Sequence, residues 1–576
     1  MVHAQAQSLE AIYARIHNKL CVLYGDKKGE DTFQTLIALL QPASTSPEHD
    51  SLALSERDTV LITYGDHVQR DGEAPLATLR DVLQQLKLPL SAVHILPFYP
   101  YSSDDGFSVI DYMQVDPALG NWNHIKALSK DWRLMFDAVF NHISAKSAWF
   151  QAFLRGVPPY TDYFVTADPS VDLSMVTRPR ALPLLTPFDT ANGRKYVWTT
   201  FSDDQVDLNV ANPDVLVDII RVLLFYIEQG AQLIRLDAIA FLWKTIGTTS
   251  IHLPETHLII QMMRDVLDIV APQTILVTET NVPHHENISY FGDGTNEAQM
   301  VYQFPLPPLI LHTMHTGNAS RLTDWAATIK RVSERTTFFN FTASHDGIGV
   351  RPVTGILSTE EIAALVERTK AHGGFVSYKN NADGTQSPYE LNIVYFDAIT
   401  SPEVTAQQPQ VAVDRFMVSQ AIMLAFVGVP GIYFHSLLGS RNYYEGVEQT
   451  QRYRTINREK FNADALLAEI AETDSLRAHV FSRYKRLLEI RTAEPAFHPL
   501  GGQSVLALHR QVFALERTSP DGKARVLALH NVSGESVQVS VPNSGGRWLN
   551  LLNNDVHELS ITLAPYQIAW LKAQQL

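Results

Sequence analysis

The segment Gln232–Lys244 reads Gln-Leu-Ile-Arg-Leu-Asp-Ala-Ile-Ala-Phe-Leu-Trp-Lys. Its aliphatic run carries Arg235 and Asp237 two residues apart, and alternation along a strand puts such residues on one face. An ion pair at the end of an apolar strand is costly unless it is used or fully satisfied. Three other strand-like runs also end in polar residues: Asp137-Ala-Val-Phe-Asn141-His142, Val277-Thr278-Glu279 and Ser344-His345-Asp346. Taken singly, each has a structural reading, since an Arg-x-Asp is more often a plain ion pair and a lone histidine a satisfied core group. Taken together, they bring Asp237, Glu279 and Asp346 to the ends of three strands. Retaining glycoside chemistry requires a carboxylate nucleophile and a carboxylic acid about 5–5.5 Å apart. The acid protonates the leaving oxygen and then acts as base for the acceptor. A third carboxylate stabilises the oxocarbenium-like centre between them.

Elements able to position these groups alternate along the chain. Strands are expected at Thr59–Tyr64, Ala92–Leu96, Leu134–Phe140, the Gln232 segment, Thr274–Glu279, Met300–Phe304, Thr337–Ala343 and Gly431–Phe434. Amphipathic helices, such as Pro75–Leu86 and Pro213–Gln229, fall between them. Strands alternating with helices imply parallel βα units, and eight such units imply an α/β fold closed as a (β/α)8 barrel whose chemistry sits at the strand ends. Two stretches break the periodicity: residues 143–206, read as an insertion after the third strand, and residues 347–400, read as one after the seventh. Ser8 caps an expected helix with apolar positions Leu9, Ile12, Ile16, Leu20 and Leu23. This extension, residues 1–55, leads through the linker Gln41–Pro47 into the barrel, residues 56–500. Short strands from Val505 onward, with a hairpin turn at Pro520-Asp521-Gly522, imply a C-terminal antiparallel β domain over 501–576.

Composition narrows the partners. The chain has 576 residues, 45% of them hydrophobic, and a formal net charge of −15, which fits a large buried core and argues against nucleic acid as the main partner. The single cysteine, Cys21, provides no disulfide framework and suits a reducing, cytoplasmic setting. No apolar run approaches the ~20 residues of a membrane span. Neither a metal nor a cofactor is expected, and the chain is read as a monomer or homodimer.

The motifs Asp137-Ala-Val-Phe-Asn-His142, Ile234-Arg-Leu-Asp237-Ala, Thr278-Glu279 and Ser344-His-Asp346 resemble those of the α-amylase family of retaining α-glycosidases and transglycosylases, glycoside hydrolase family 13. The resemblance implies that Asp237 is the nucleophile, Glu279 the general acid/base and Asp346 the transition-state stabiliser. It implies that Arg235 orients Asp237 and that His142 and His345 hydrogen-bond the glucosyl hydroxyls. Phe304-Pro-Leu-Pro-Pro-Leu309, His345-Asp-Gly-Ile-Gly349 and Arg454-Thr-Ile-Asn-Arg458 are similar to the sucrose-phosphorylase subfamily. On that likeness Asp104 and Arg454 grip the distal glucosyl hydroxyls, Phe107, Phe201 and Phe241 wall the pocket, and Arg180 receives inorganic phosphate. The likeness fails on the acceptor side. Tyr389 is kept, but Ser387 and Glu390 replace an acidic residue and a glutamine, and the loop Gly439–Gly446 differs.

That pattern resembles glucosylglycerol and glucosylglycerate phosphorylases. A carboxylate at Glu390 facing the acceptor would accept bonds from a polyol and repel glycerate, so glucosylglycerol is the expected substrate. Glucosylglycerate is the alternative if Arg180 or Arg441 offsets Glu390, and sucrose phosphorolysis or plain α-glucoside hydrolysis follow. A catalytically inactive amylase-like binding domain is the reading the intact carboxylates most oppose.

Overall fold

The computed structural model describes residues 8–40, 54–180, 182–381, 385–542 and 546–575. Its centre is a closed barrel of eight parallel strands: β1 (Val60–Thr63), β2 (Ala92–Ile95), β3 (Arg133–Ala138), β4 (Ala231–Leu236), β5 (Ile275–Thr278), β6 (Met300–Tyr302), β7 (Thr337–Asn340) and β8 (Val429–Tyr433). Each strand pairs with its neighbours in sequence, and β8 pairs back onto β1. The strands are short and nearly continuously apolar because side chains fill the barrel on one face and meet the helices on the other. Val60, Leu61, Ile62 and Thr63 of β1, for example, are all buried.

Both irregular stretches lie on the face where the strands end. After β3 the chain forms a helix, Ala148–Leu154, and a hairpin of Leu185–Thr190 with Gly193–Trp198. It is tied back by the pairing of His142–Ser144 with Gln205–Asp207. After β7 a three-stranded sheet forms from Ile348–Gly349, Phe375–Asn380 and Gln386–Asn392. From Gly502 a six-stranded antiparallel sheet packs on the barrel, and the turn at Pro520–Gly522 joins Val512–Thr518 to Arg525–Asn531. Buried Arg517 fastens that sheet to the barrel by donating to the carbonyls of Ala425 and His498, each at 2.8 Å.

At the other end Ser8 caps helix α1 (Leu9–Tyr24), and a second helix, α2 (Asp26–Leu39), folds back along it. The approach is close: a Cβ on Gly29 would lie 2.7 Å from the Cys21 backbone. The pair leans on the helix Pro254–Val270, where Lys19 and Arg15 reach Asp265 at 2.5 and 2.7 Å. The linker expected over Gln41–Pro47 lies outside the described residues. No described helix is long and apolar enough to cross a membrane.

Candidate active site

Asp137 of β3 and Arg235 of β4 are direct partners across the parallel pair. Both point into the barrel top, where the Arg235 guanidinium donates to Asp137 and to Asp237 Oδ1, the latter at 2.8 Å. The other end of the same guanidinium lies 3.8 Å from Glu279 Oε2. His94 of β2 closes the layer below with a 2.7 Å bond to Asp137. Ala238 takes a positive φ of 47°, a conformation residues with a Cβ rarely adopt. This turn aims its N–H at Glu279 Oε2, 3.0 Å away. Two carboxylates sharing one guanidinium are closely spaced, as a retaining pair about 5–5.5 Å apart must be.

Burial and neighbouring carboxylates raise both groups above their ordinary values. The pair therefore holds a shared proton near neutrality. Contact distance decides where it sits: the guanidinium is nearer Asp237, so the charge stays there and the proton on Glu279. The expected pH profile follows from the sign. Activity on a glucoside whose leaving oxygen needs protonation should persist above the usual carboxylate range and fall as pH rises through the raised Glu279 value. With α-glucosyl fluoride, whose leaving group needs no proton, the alkaline limb should flatten. Parallel kcat/KM profiles for the two donors check this.

Asp346 is reached by Arg454 at 2.5 Å. Burial alone would raise its carboxyl, but Arg454, Arg458 and Arg235 outweigh that and hold it at about 2. The loop after β8 braces the loop after β7 through its backbone as well. Asn457 Nδ2 donates to the carbonyls of Ser344 and Asp346 at 2.8 and 2.9 Å, and Arg458 Nε to that of His345 at 2.8 Å. The segment Arg454–Arg458 thus fixes the third carboxylate in place.

One pocket collects Asp104, Phe107, His142, Arg180, Phe201, Asp237, Phe241, Glu279, His345, Asp346, Tyr389 and Arg454 on its wall. Phe107 stacks on His345 at 4.5 Å, and Phe201 stands edge-on to Phe241 at 5.6 Å. Arg235 lies beneath the floor, between Phe107 and Tyr302. Asp104 pairs with Arg180 at 3.1 Å, so the residue expected at the sugar and the one expected at phosphate are joined. His142 stands on this wall, its Nε2 facing the Phe107 carbonyl at 2.9 Å and its Nδ1 the Asn141 amide at 3.2 Å. Two expectations need correction. Glu390 is not on the wall of this pocket but lines the adjoining opening, which shares Asp104, Arg180, Tyr389 and Arg454 with it. It is buried behind Arg454, which it binds at 2.9 and 3.1 Å, and it accepts from the Gly347 N–H. Arg441 is bound to Asp397 at 2.5 Å and offsets nothing at Glu390.

The structure adds Gln205, Asn281 and Arg351 to the wall. Gln205 and Arg351 stand in the two stretches without clear periodicity, and Asn281 just past the end of an expected strand, where no motif marks it. It also gives Lys244 a role. Its Nζ lies 2.7 Å from Asn141 Oδ1 and 2.8 Å from Asp207 Oδ2, all three buried or nearly so beside the first insertion. The cation at this junction is the chain's own ammonium. Lys244→Met should strip Asp207 of its counter-charge and destabilise the barrel by about 3–5 kcal/mol. Chemical denaturation of the variant checks the value.

Residues 69–370 match the family described as alpha amylase, catalytic domain. The chain is 48% identical over 580 aligned residues to a glucosylglycerate phosphorylase of Spirochaeta thermophila, covering 97% of this chain and 98% of that one. It is 27% identical to a glucosylglycerol phosphorylase of Marinobacter adhaerens, over 76% of this chain and 88% of that one. Among solved structures, the sucrose 6F-phosphate phosphorylase of Thermoanaerobacter thermosaccharolyticum superposes with a TM-score of 0.73 at 23% identity, covering 89% of this chain and 99% of that one.

Proposed function

The chain belongs to the α-amylase family, and from that premise we propose that it is a retaining phosphorylase that converts glucosylglycerate and inorganic phosphate to α-glucose 1-phosphate and glycerate. In the first half-reaction Asp237 attacks the anomeric carbon while Glu279 protonates the bridging oxygen, and glycerate leaves from a β-glucosyl enzyme. In the second, phosphate attacks from the side glycerate vacated, and the α-configuration is restored. Asp346 carries the negative charge that the oxocarbenium-like transition states require. Arg180, at the pocket wall, is suited to phosphate through paired charge-assisted bonds.

The observation that carries the choice of acceptor is the near-complete alignment with the glucosylglycerate enzyme, against the partial and weaker one with the glucosylglycerol enzyme. The geometry supports the same choice. The case for glycerol needs a Glu390 carboxylate free to meet the acceptor, and both oxygens of that carboxylate are bound by Arg454. The test is phosphate release from α-glucose 1-phosphate with D-glycerate, glycerol, fructose or water as acceptor. Release that depends on D-glycerate is expected. Release that depends on glycerol, or that runs equally fast in water alone, would overturn the reading.

A further inference from the structure

Glu390 has both carboxylate oxygens bound by Arg454, which leaves the acceptor to other groups. On the Glu279 side the pocket wall is built from Thr280, Asn281, Val282 and Arg351. Arg351 opens a short turn, Arg351–Val353, just after the strand Ile348–Gly349. The other arginines at the pocket are committed: Arg180 to Asp104 at 3.1 Å, Arg454 to Asp346 at 2.5 Å and Glu390 at 2.9 Å, and Arg235 to Asp237 at 2.8 Å. Among the described residues, the one carboxylate paired with Arg351 is Glu286, loosely at 3.5 Å, and that carboxylate is also bound by His252 at 3.1 Å.

Two neighbours strengthen the case. Asn281 Oδ1 is shielded from solvent and has no hydrogen-bond partner among the described residues. A polar atom left so in a binding site is one that a ligand can satisfy. Its amide fits there because Gly349 lacks a Cβ, which would lie 2.8 Å from it. Lys379, on the strand Phe375–Asn380, brings a second positive charge close enough that burial, together with Arg351, holds its ammonium below the ordinary value. Lys379 forms no ion pair with a carboxylate among the described residues. Arg351 and Lys379 thus put two positive charges near one another in a chain of net charge −15.

We propose that Arg351 binds the carboxylate of glycerate, while Asn281 Oδ1 accepts from one of its hydroxyls, and that Arg351 thereby selects glycerate over uncharged polyols. The proposal rests on the glucosylglycerate reading. A guanidinium meets a carboxylate with two parallel bonds, and a polyol without the carboxylate would leave that cation unsatisfied.

The test uses α-glucosyl fluoride as an uncharged donor, with D-glycerate and glycerol together as competing acceptors. Both acceptors then draw on the same glucosyl enzyme, so the ratio of the two transfer products reports the acceptor step alone, whatever fraction of the protein is folded. The wild type should favour glycerate. Arg351→Gln should lower the ratio about 10–100-fold, the scale of a lost charged hydrogen bond, and Arg351→Lys, which keeps the charge, should lower it less. An Arg351→Gln ratio equal to that of a glycerate-selective wild type would overturn the proposal alone. The same unchanged ratio with a raised KM for phosphate would assign Arg351 to phosphate instead. A wild type that transfers to glycerol and not to glycerate would sink the acceptor reading, and this proposal with it.

Discussion

Asp237→Gly should lower phosphorolysis by roughly 10⁴–10⁶-fold, the scale on which removing a nucleophile acts in enzymes whose catalytic groups work as a unit. Asp237 is 7% exposed and its carboxylate is held at 2.8 Å by Arg235. Glycine leaves a gap on the β-face of the sugar that a small anion can enter. Azide added to the variant with α-glucosyl fluoride should therefore form β-glucosyl azide. α-Glucosyl azide, or undiminished phosphorolysis, would show that the nucleophile lies elsewhere.

Glu279→Gln should separate donors by their leaving groups. Loss of a general acid typically costs 10²–10⁴-fold, and that full loss is expected with the glucoside, whose oxygen must be protonated as it departs. α-Glucosyl fluoride should lose much less. Here azide attacks the glucosyl enzyme already formed on Asp237, so the product should be α-glucosyl azide, the opposite anomer from the Asp237 variant. Equal losses for both donors would remove Glu279 from the acid role. Glutamine keeps the size of the side chain, though the bond from the Ala238 N–H to Oε2 has to be met by the amide oxygen.

Much of this chemistry is readable from periodicity. Arg235 and Asp237 share a face because a strand alternates, and Glu279 directly follows an apolar run that reads as a buried strand. The barrel strands are readable for the same reason. Pairings between distant segments are not. Glu390 reads as an acceptor residue because its partner, Arg454, stands 64 positions away. Lys244 carries no role in the sequence because its partner Asn141 is 103 positions away. Helix α2 is hidden by its polar start, Asp26-Lys-Lys-Gly-Glu-Asp31. The glycine there, Gly29, costs helix propensity yet lets α2 approach α1. The strands Gly546–Asn550 and Ser560–Leu563 are short and partly polar, so their pairing partners define them more than their composition does. Arg351 stands between Val350 and Pro352 in an irregular insertion, where no pattern assigns it a side.

The most direct measurement is the product of glucosylglycerate phosphorolysis, followed by NMR from the first turnovers. The account predicts α-glucose 1-phosphate and free glycerate in equal amounts, with the anomeric configuration retained. β-Glucose 1-phosphate would contradict the double displacement through Asp237, and free glucose formed at the same rate with or without phosphate would contradict the phosphorylase assignment.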